Sequence, residues 1–251
     1  VHAIVRPPGK TYPDALTQQE PRPDVDLELA RRQHRGYVAT LRHVGLDVTE
    51  LPADDAHPDA VFVQDRVCVL DGRAIVGRSA VPEREGEAGP LLAVLGALHP
   101  VVELPPPACL DWGDVLVTDD ALYVGLSERS NEAAVDALCR LLAPGRHVEG
   151  VPMPPGLLHL LSGCASLGGR KLLALDSLAE FGRSHGFEVV PVASGEALAA
   201  NVLAVGQRVV VPAGYPETAA RLEAAGFHVQ RISVGEFEKR DGGVTCLSVL
   251  Y

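Results

Sequence analysis

Two stretches of this chain are versions of one another, and that repeat restricts the fold more than any other feature. RVCVLDGRAIVGRS (Arg66 to Ser79) and DVLVTDDALYVGLS (Asp114 to Ser127) align without a gap at an offset of 48 residues. Each reads as a short apolar strand, a turn at Asp71-Gly72 or Asp119-Asp120, a second apolar strand, and a Gly-x-Ser end. Turn dipeptides between β-branched runs are hairpin signals. A helical pattern follows each copy, PLLAVLGALH after the first and NEAAVDALCRLLA after the second. Fainter copies run from His159 to Leu175, with a Gly168-Gly169 turn, and from Ala200 to Gly214, with a Gly206-Gln207 turn and the helix PETAARLEAAG behind it. A fifth is split between the chain ends. GVTCLSVLY (Gly243 to Tyr251) and HAIVRP (His2 to Pro7) supply neighbouring strands, followed by the helix DLELARRQHRGYVATLRHVG and the strand DVTELP.

Five strand-turn-strand-helix-strand units of about 40–50 residues match the repeat length of propeller-like architectures. The helices between strands favour an α/β propeller over an all-β one. The expected fold class is therefore α/β, a five-bladed pseudo-symmetric propeller of ββαβ modules, with residues 1–251 forming a single catalytic domain. An open α/β sheet with two chance-similar hairpins is the alternative, which the ungapped match disfavours. The Pro-rich pieces at Leu104–Pro107 and Val151–Pro155 read as connectors between modules. Gly9 to Asp26 has no clear periodicity, and loops of that length are often lids.

Composition narrows the partners. Acidic residues outnumber basic ones 33 to 22, a net charge of −11, which disfavours nucleic acid and mildly favours a small cationic substrate. No apolar run approaches the roughly 18–20 residues of a membrane span, and the N-terminal stretch lacks a secretory h-region, so no membrane and a cytoplasmic location are expected. Five widely spaced cysteines without a C-x-x-C form neither a disulfide framework nor a zinc ribbon. A homodimer is compatible with the sequence, which does not set the oligomeric state.

The first strand of each module carries polar residues that a purely structural strand does not need: Asp59, Gln64 and Asp65, then Asp111 and Asp114, then His159, then Asn201, then Cys246. In a pseudo-symmetric ring these positions converge on the axis, assembling a Cys/His/acid constellation suited to nucleophilic catalysis without any local motif. Singly, each has a bland explanation: a buried structural thiol, a satisfied core histidine, a hairpin-capping carboxylate.

The ordered set PDAVFVQD, LDWGDVL, GLSERSN, LHLLS and GGVTCLS resembles the dimethylarginine dimethylaminohydrolases of the pentein, or guanidino-group-modifying, superfamily, and the resemblance covers essentially the whole chain. It implies the pentein fold and hydrolysis of Nω-methylated arginines, dimethylarginine and monomethylarginine, to citrulline and dimethylamine or methylamine through a covalent Cys246 thiouronium. It implies Cys246 as nucleophile, His159 as general acid and base, and Asp111 as the catalytic acid. It further implies Asp65, with the neighbouring Gln64, at the guanidinium, Asp59 and backbone at Leu16 for the α-amino group, and Arg78 with Arg129 for the α-carboxylate. It calls for no metal and no cofactor. Two departures stand out. Trp112 replaces the usual Gly, and its ring is expected to narrow the pocket or displace Asp111; Gln64 replaces an acid sometimes found there. Deiminases of unmodified guanidines usually read His-x-Asp, whereas His159 precedes Leu160-Leu161, which fits a nitrogen with no hydrogen to donate. Arginine or agmatine deimination, amidinotransfer, a non-catalytic methylarginine-binding protein and a purely structural propeller are the competing readings.

Overall fold

The structure is a computed structural model that describes residues 1–142 and 145–251. Five three-stranded sheets appear in chain order. The first module holds β1 (His2–Val5), α1 (Leu27–His43) and β2 (Asp47–Glu50). The second holds β3 (Val67–Leu70), β4 (Arg73–Val76), α2 (Gly89–Leu95) and β5 (Val101–Glu103). The third holds β6 (Val115–Val117), β7 (Ala121–Leu126), α3 (Glu132–Leu142) and β8 (His147–Pro152). The fourth holds β9 (Cys164–Gly168), β10 (Lys171–Ala174), α4 (Asp176–Ser184) and β11 (Glu188–Pro191). The fifth holds β12 (Leu203–Val205), β13 (Arg208–Pro212), α5 (Pro216–Ala224) and β14 (His228–Ile232); a short α6 (Gly235–Glu238) then leads to β15 (Ser248–Leu250).

Every sheet has the same design. An inner strand pairs antiparallel with the middle strand, through a tight turn in the four modules that are continuous in sequence, and the middle strand pairs parallel with the outer one after the helical crossover. The split module closes the ring as its sequence implies: β15 lies antiparallel to β1, with Ala3 opposite Leu250, and β1 lies parallel to β2. Positive φ at Asp71 and Gly72 gives the first hairpin its turn, the backbone region that favours Asp and Gly there. The helix expected over NEAAVDALCRLLA forms from Glu132; its last residue, Ala143, lies outside the described residues.

Apolar faces of the helices pack on the sheets. Ala30, Tyr37, Val38 and Leu41 of α1 join Ala3 and Val5 of β1 in one cluster, and Ala134, Ala137 and Leu138 of α3 join Leu122 and Val124 of β7 in another. Residues three and four apart on a helix share a face, so these spacings bury one stripe each.

One feature was not anticipated. Immediately before each inner strand the chain makes a 3₁₀ turn: Val63–Asp65, Trp112–Asp114, Leu160–Ser162, Ala197–Ala200 and Thr245–Leu247. The polar residues assigned to first strands lie on or beside these turns instead. The turns abut around the axis, the first against the second and the fifth, the second against the third, and the third against the fourth. Asn201 links the remaining pair, accepting from the Thr245 backbone N–H at 2.9 Å and donating to Thr245 Oγ1 at 2.8 Å.

Candidate active site

The ring of turns surrounds a cavity of about 140 Å³ whose wall includes Asp59, Asp65, Arg84, Arg129, His159 and Cys246. Leu16, Thr17 and Gln18 cover one side. Their loop is the aperiodic segment read as a lid, tied down by Gln18 N–H to Asp241 Oδ2 at 2.6 Å and by Arg240 Nη2 to the Pro13 carbonyl at 2.7 Å. Asp241 and Arg240 also line the cavity, so the lid is latched a few residues ahead of Cys246.

Cys246 sits inside the fifth turn, only 8% exposed, with the Gly243 N–H donating to its Sγ at 3.4 Å. Gly243 must be glycine here, since a Cβ would stand 2.3 Å from the Asn201 side chain. Burial, reinforced by the nearby Asp65 charge, pushes the thiol up to about 12. An unliganded Cys246 is thus a thiol rather than a thiolate at neutral pH.

His159 precedes the third turn and is 6% exposed, with Nε2 at 3.6 Å from Asp111 Oδ2. Burial works against its charge, but Asp111, Asp65 and Asp114 outweigh burial and raise its pKa. Asp111 is fully buried behind His159 rather than in the cavity wall, and its Oδ1 accepts from Arg66 Nη1 at 2.7 Å. Burial alone would raise this carboxyl; His159, Arg84 and Arg66 hold it below the usual carboxylate range. Asp114 is a brace: its carboxylate accepts the Ser127 and Ser130 hydroxyls and the Leu160 N–H, fixing the turn that carries His159. Asp65 Oδ1, Asp111 Oδ2 and His159 Nε2 are buried without a hydrogen-bond partner among the described residues. Asp111 Oδ2 and His159 Nε2 face each other at 3.6 Å, so Asp65 Oδ1, in the cavity wall, is the buried oxygen left for a ligand.

Asp59 accepts the Leu16 N–H on both oxygens at 3.2 Å, and its pKa is raised by burial against the pull of Arg84. Arg129 borders the cavity with Nη1 at 3.9 Å from Asp111 Oδ2. Of the residues singled out from sequence, Cys246, His159, Asp65, Asp59, Leu16 and Arg129 come together around one cavity. Two do not. Arg78 is exposed, outside the cavity, with Nη1 3.6 Å from Cys109 Sγ; the wall cations besides Arg129 are Arg84 and Arg240. The reason is the 3₁₀ turn Pro82–Arg84, which carries the chain back toward the axis after β4 has led Arg78 away. Gln64 turns the other way from Asp65, donating to the Trp112 carbonyl at 2.8 Å and lining a separate axial cavity. Leu161 lines that axial cavity as well, so it does not face a substrate nitrogen in the wall; Leu158 does line the wall.

Trp112 neither narrows the pocket nor displaces Asp111. Its ring is fully buried among Ile75, Leu110 and Leu122, and Nε1 donates to the Ile75 carbonyl at 3.0 Å. The residue that must be small is the next one: a Cβ on Gly113 would stand 2.7 Å from His159 Nδ1. Arg84 and Glu87 escaped the sequence reading because VPEREGE looks like a solvated charged loop. Arg66 gave a faint signal, as a charge entering an apolar strand. Among the described residues no three His, Cys, Asp or Glu side chains are grouped to hold a metal ion, and no helix is long and apolar enough to cross a membrane.

Five ββαβ modules around an axial Cys/His/acid site define a pentein hydrolase acting on C–N bonds. The chain belongs to the dimethylarginine dimethylaminohydrolase family. A family model described as N,N dimethylarginine dimethylhydrolase, eukaryotic, matches residues 10–148. The N(G),N(G)-dimethylarginine dimethylaminohydrolase of Pseudomonas aeruginosa is 31% identical over 100% of this chain and 99% of its own. That of Streptomyces coelicolor is 36% identical over 98% and 95%. The structure of a Pseudomonas aeruginosa enzyme with a Cys-to-Ser change, complexed with citrulline, superposes with a TM-score of 0.95 at 30% identity, covering 100% of this chain and 98% of that one. The N-terminal domain of ArgZ, a cyanobacterial arginine dihydrolase, shares the fold at a TM-score of 0.88 and 21% identity, over 99% and 96% of the two chains.

Proposed function

We propose that the chain, acting as one catalytic unit, hydrolyses Nω-methylated arginines to citrulline and a methylamine through a covalent intermediate on Cys246. The observation that carries this reading is the unpartnered buried Asp65 Oδ1 in the wall of the cavity that Cys246 and His159 also line. A guanidinium offers N–H donors to carboxylates, and its resonance makes it a poor electrophile unless it is oriented over the nucleophile. Asp65 receives the guanidinium. The bound cation lowers the cost of ionising a thiol that burial otherwise holds protonated. The thiol proton passes to solvent, and the Cys246 sulfur then attacks the guanidinium carbon, forming the C–S bond. His159 protonates the departing amine as the C–N bond breaks, leaving a thiouronium. With that proton gone, His159 takes one from water, whose hydroxide adds to the same carbon; the C–S bond breaks, the hydroxyl proton goes to the departing sulfur, and citrulline leaves. Asp111, 3.6 Å from Nε2, stabilises the charged ring in between. Asp59 is assigned to the α-amino group and Arg129, with Arg84 as a further wall cation, to the α-carboxylate.

The test is incubation with dimethylarginine, monomethylarginine and arginine in parallel, with a citrulline assay and mass spectrometry of acid-quenched protein. Citrulline from the methylated substrates and a covalent adduct lost in Cys246→Ser are expected. Turnover confined to arginine would replace the methylarginine reading with arginine hydrolysis. Substantial turnover by Cys246→Ser would remove the thiol mechanism.

A further inference from the structure

A site built to receive a guanidinium faces an internal difficulty here, because one of its own wall residues carries a guanidinium. Arg84 Nη1 lies 2.7 Å from Asp65 Oδ2 and 4.0 Å from Asp111 Oδ2. Asp65 Oδ1 still lacks a donor, and Asp111 Oδ2 has only His159 Nε2 at 3.6 Å. Unsatisfied buried carboxylate oxygens attract any planar cation within reach, and Arg84 is the nearest.

What holds Arg84 back is Glu87. Its Oε1 and Oε2 accept from Arg84 Nε at 3.2 and 3.0 Å, and Oε2 accepts from Nη2 at 2.9 Å. That fork fixes one edge of the guanidinium and leaves only Nη1 to reach the site. Glu87 is 2% exposed and anchored in turn: its backbone carbonyl accepts from buried Arg6 Nη1 at 3.3 Å, and the helix α2 begins two residues later. The arrangement gives Asp65 one oxygen bound to Arg84 and one presented to a ligand.

We propose that Glu87 is a positioning residue that restrains Arg84, so that an internal guanidinium does not occupy the place of the substrate's. This rests on the reading of Asp65 as the guanidinium acceptor given above. Glu87 touches neither substrate nor thiol; it acts through Arg84. Without its charge, Arg84 moves further onto Asp65 and Asp111 and competes with an incoming cation.

The experiment measures the concentration of guanidinium ion, in the millimolar range, that gives half its maximal effect on the rate at which neutral iodoacetamide alkylates Cys246, whether the cation shields the sulfur or favours its thiolate. This probe has no carboxylate, so any role of Arg84 at the amino-acid end does not enter. The wild-type rate should change. In Glu87→Gln the concentration for half effect should rise on the order of tenfold, within the range of coupled charged neighbours. Arg84→Met and the double variant Arg84→Met/Glu87→Gln should then share one half-effect concentration, because removing Arg84 leaves Glu87 nothing to restrain. A role for Glu87 in general packing predicts the opposite, a further rise in the double variant. Should Glu87→Gln fail to fold, the two Arg84→Met proteins decide alone. An unchanged half-effect concentration in Glu87→Gln, or a higher one in the double variant than in Arg84→Met, overturns the restraint and leaves the site reading intact. No change of rate in wild type overturns both.

Discussion

Adding one methyl group at Gly113 should damage catalysis more than stability. The glycine is not in the left-handed region, so alanine brings no backbone strain there. Its Cβ, however, would lie 2.7 Å from His159 Nδ1, 2.9 Å from Asp65 Oδ1 and 3.0 Å from His159 Cγ. Comfortable non-bonded separation is roughly 3.5 Å, so His159, Asp65 or both must retreat by about 0.5–0.8 Å. Overpacking of this kind costs about 1–3 kcal/mol of stability. A displacement approaching 1 Å at reacting groups can cost about 10²-fold in rate, which sets the expected fall in kcat at roughly 10- to 100-fold. Citrulline formation by purified Gly113→Ala measures the loss, and thermal unfolding measures the destabilisation. Gly36→Ala is the control: the site lies in α1 with nothing within 4 Å of the added Cβ, and should gain roughly 0.5–1 kcal/mol with unchanged activity. A folded Gly113→Ala protein within about threefold of wild-type kcat would refute the argument that this glycine exists to seat His159 against Asp65.

Trp112→Gly, which installs the residue more usual in the family, should cost about 3–5 kcal/mol through the cavity left among Ile75, Leu110 and Leu122, readable as a fall in denaturant midpoint; unchanged stability would mean the ring is not core. Neighbouring carboxylates raise the His159 pKa despite burial. The stabilisation from its charged form is therefore complete below the unfolded value of about 6.5 and is lost as pH climbs through the folded value. The Tm advantage of wild type over His159→Gln should shrink from pH 6.5 upward, and a pH-independent difference would contradict the charged ring. Arg129→Ala should lose most of the discrimination between dimethylarginine and a dimethylguanidino compound without a carboxylate, whereas Arg78→Ala should keep it; the reverse result would restore Arg78 to the site.

The ring was legible in the sequence because its hairpins repeat: Asp71-Gly72 and Asp119-Asp120 mark the same turn in two modules, and the apolar runs beside them alternate alike. Cys246, His159 and Asp65 could be picked out because each is a polar residue just ahead of the first strand of its module, although at different points of the turn. Arg84 could not. Its place depends on the path of the chain after β4, which the repeat does not encode, and its charge looked solvated although it is 4% exposed. Trp112 was misjudged for a related reason. Its neighbours Asp111 and Gly113 belong to the site, but on a 3₁₀ turn successive side chains diverge by about 120°, and the ring went into the core.

The five axial turns also bear on how such a protein can change over time. Each reacting group hangs from a different module, so the distances between them are set by the circumference of the ring and not by any short stretch of chain. An insertion at an outer connection, such as Leu104–Pro107 between β5 and β6, lengthens the perimeter of the molecule and leaves the hub untouched. A single residue added to a turn at the hub shifts all five spokes together. Variation in this architecture is therefore channelled outward, toward lids and rim loops that meet new ligands, while the hub tolerates no change of length and little change of side chain.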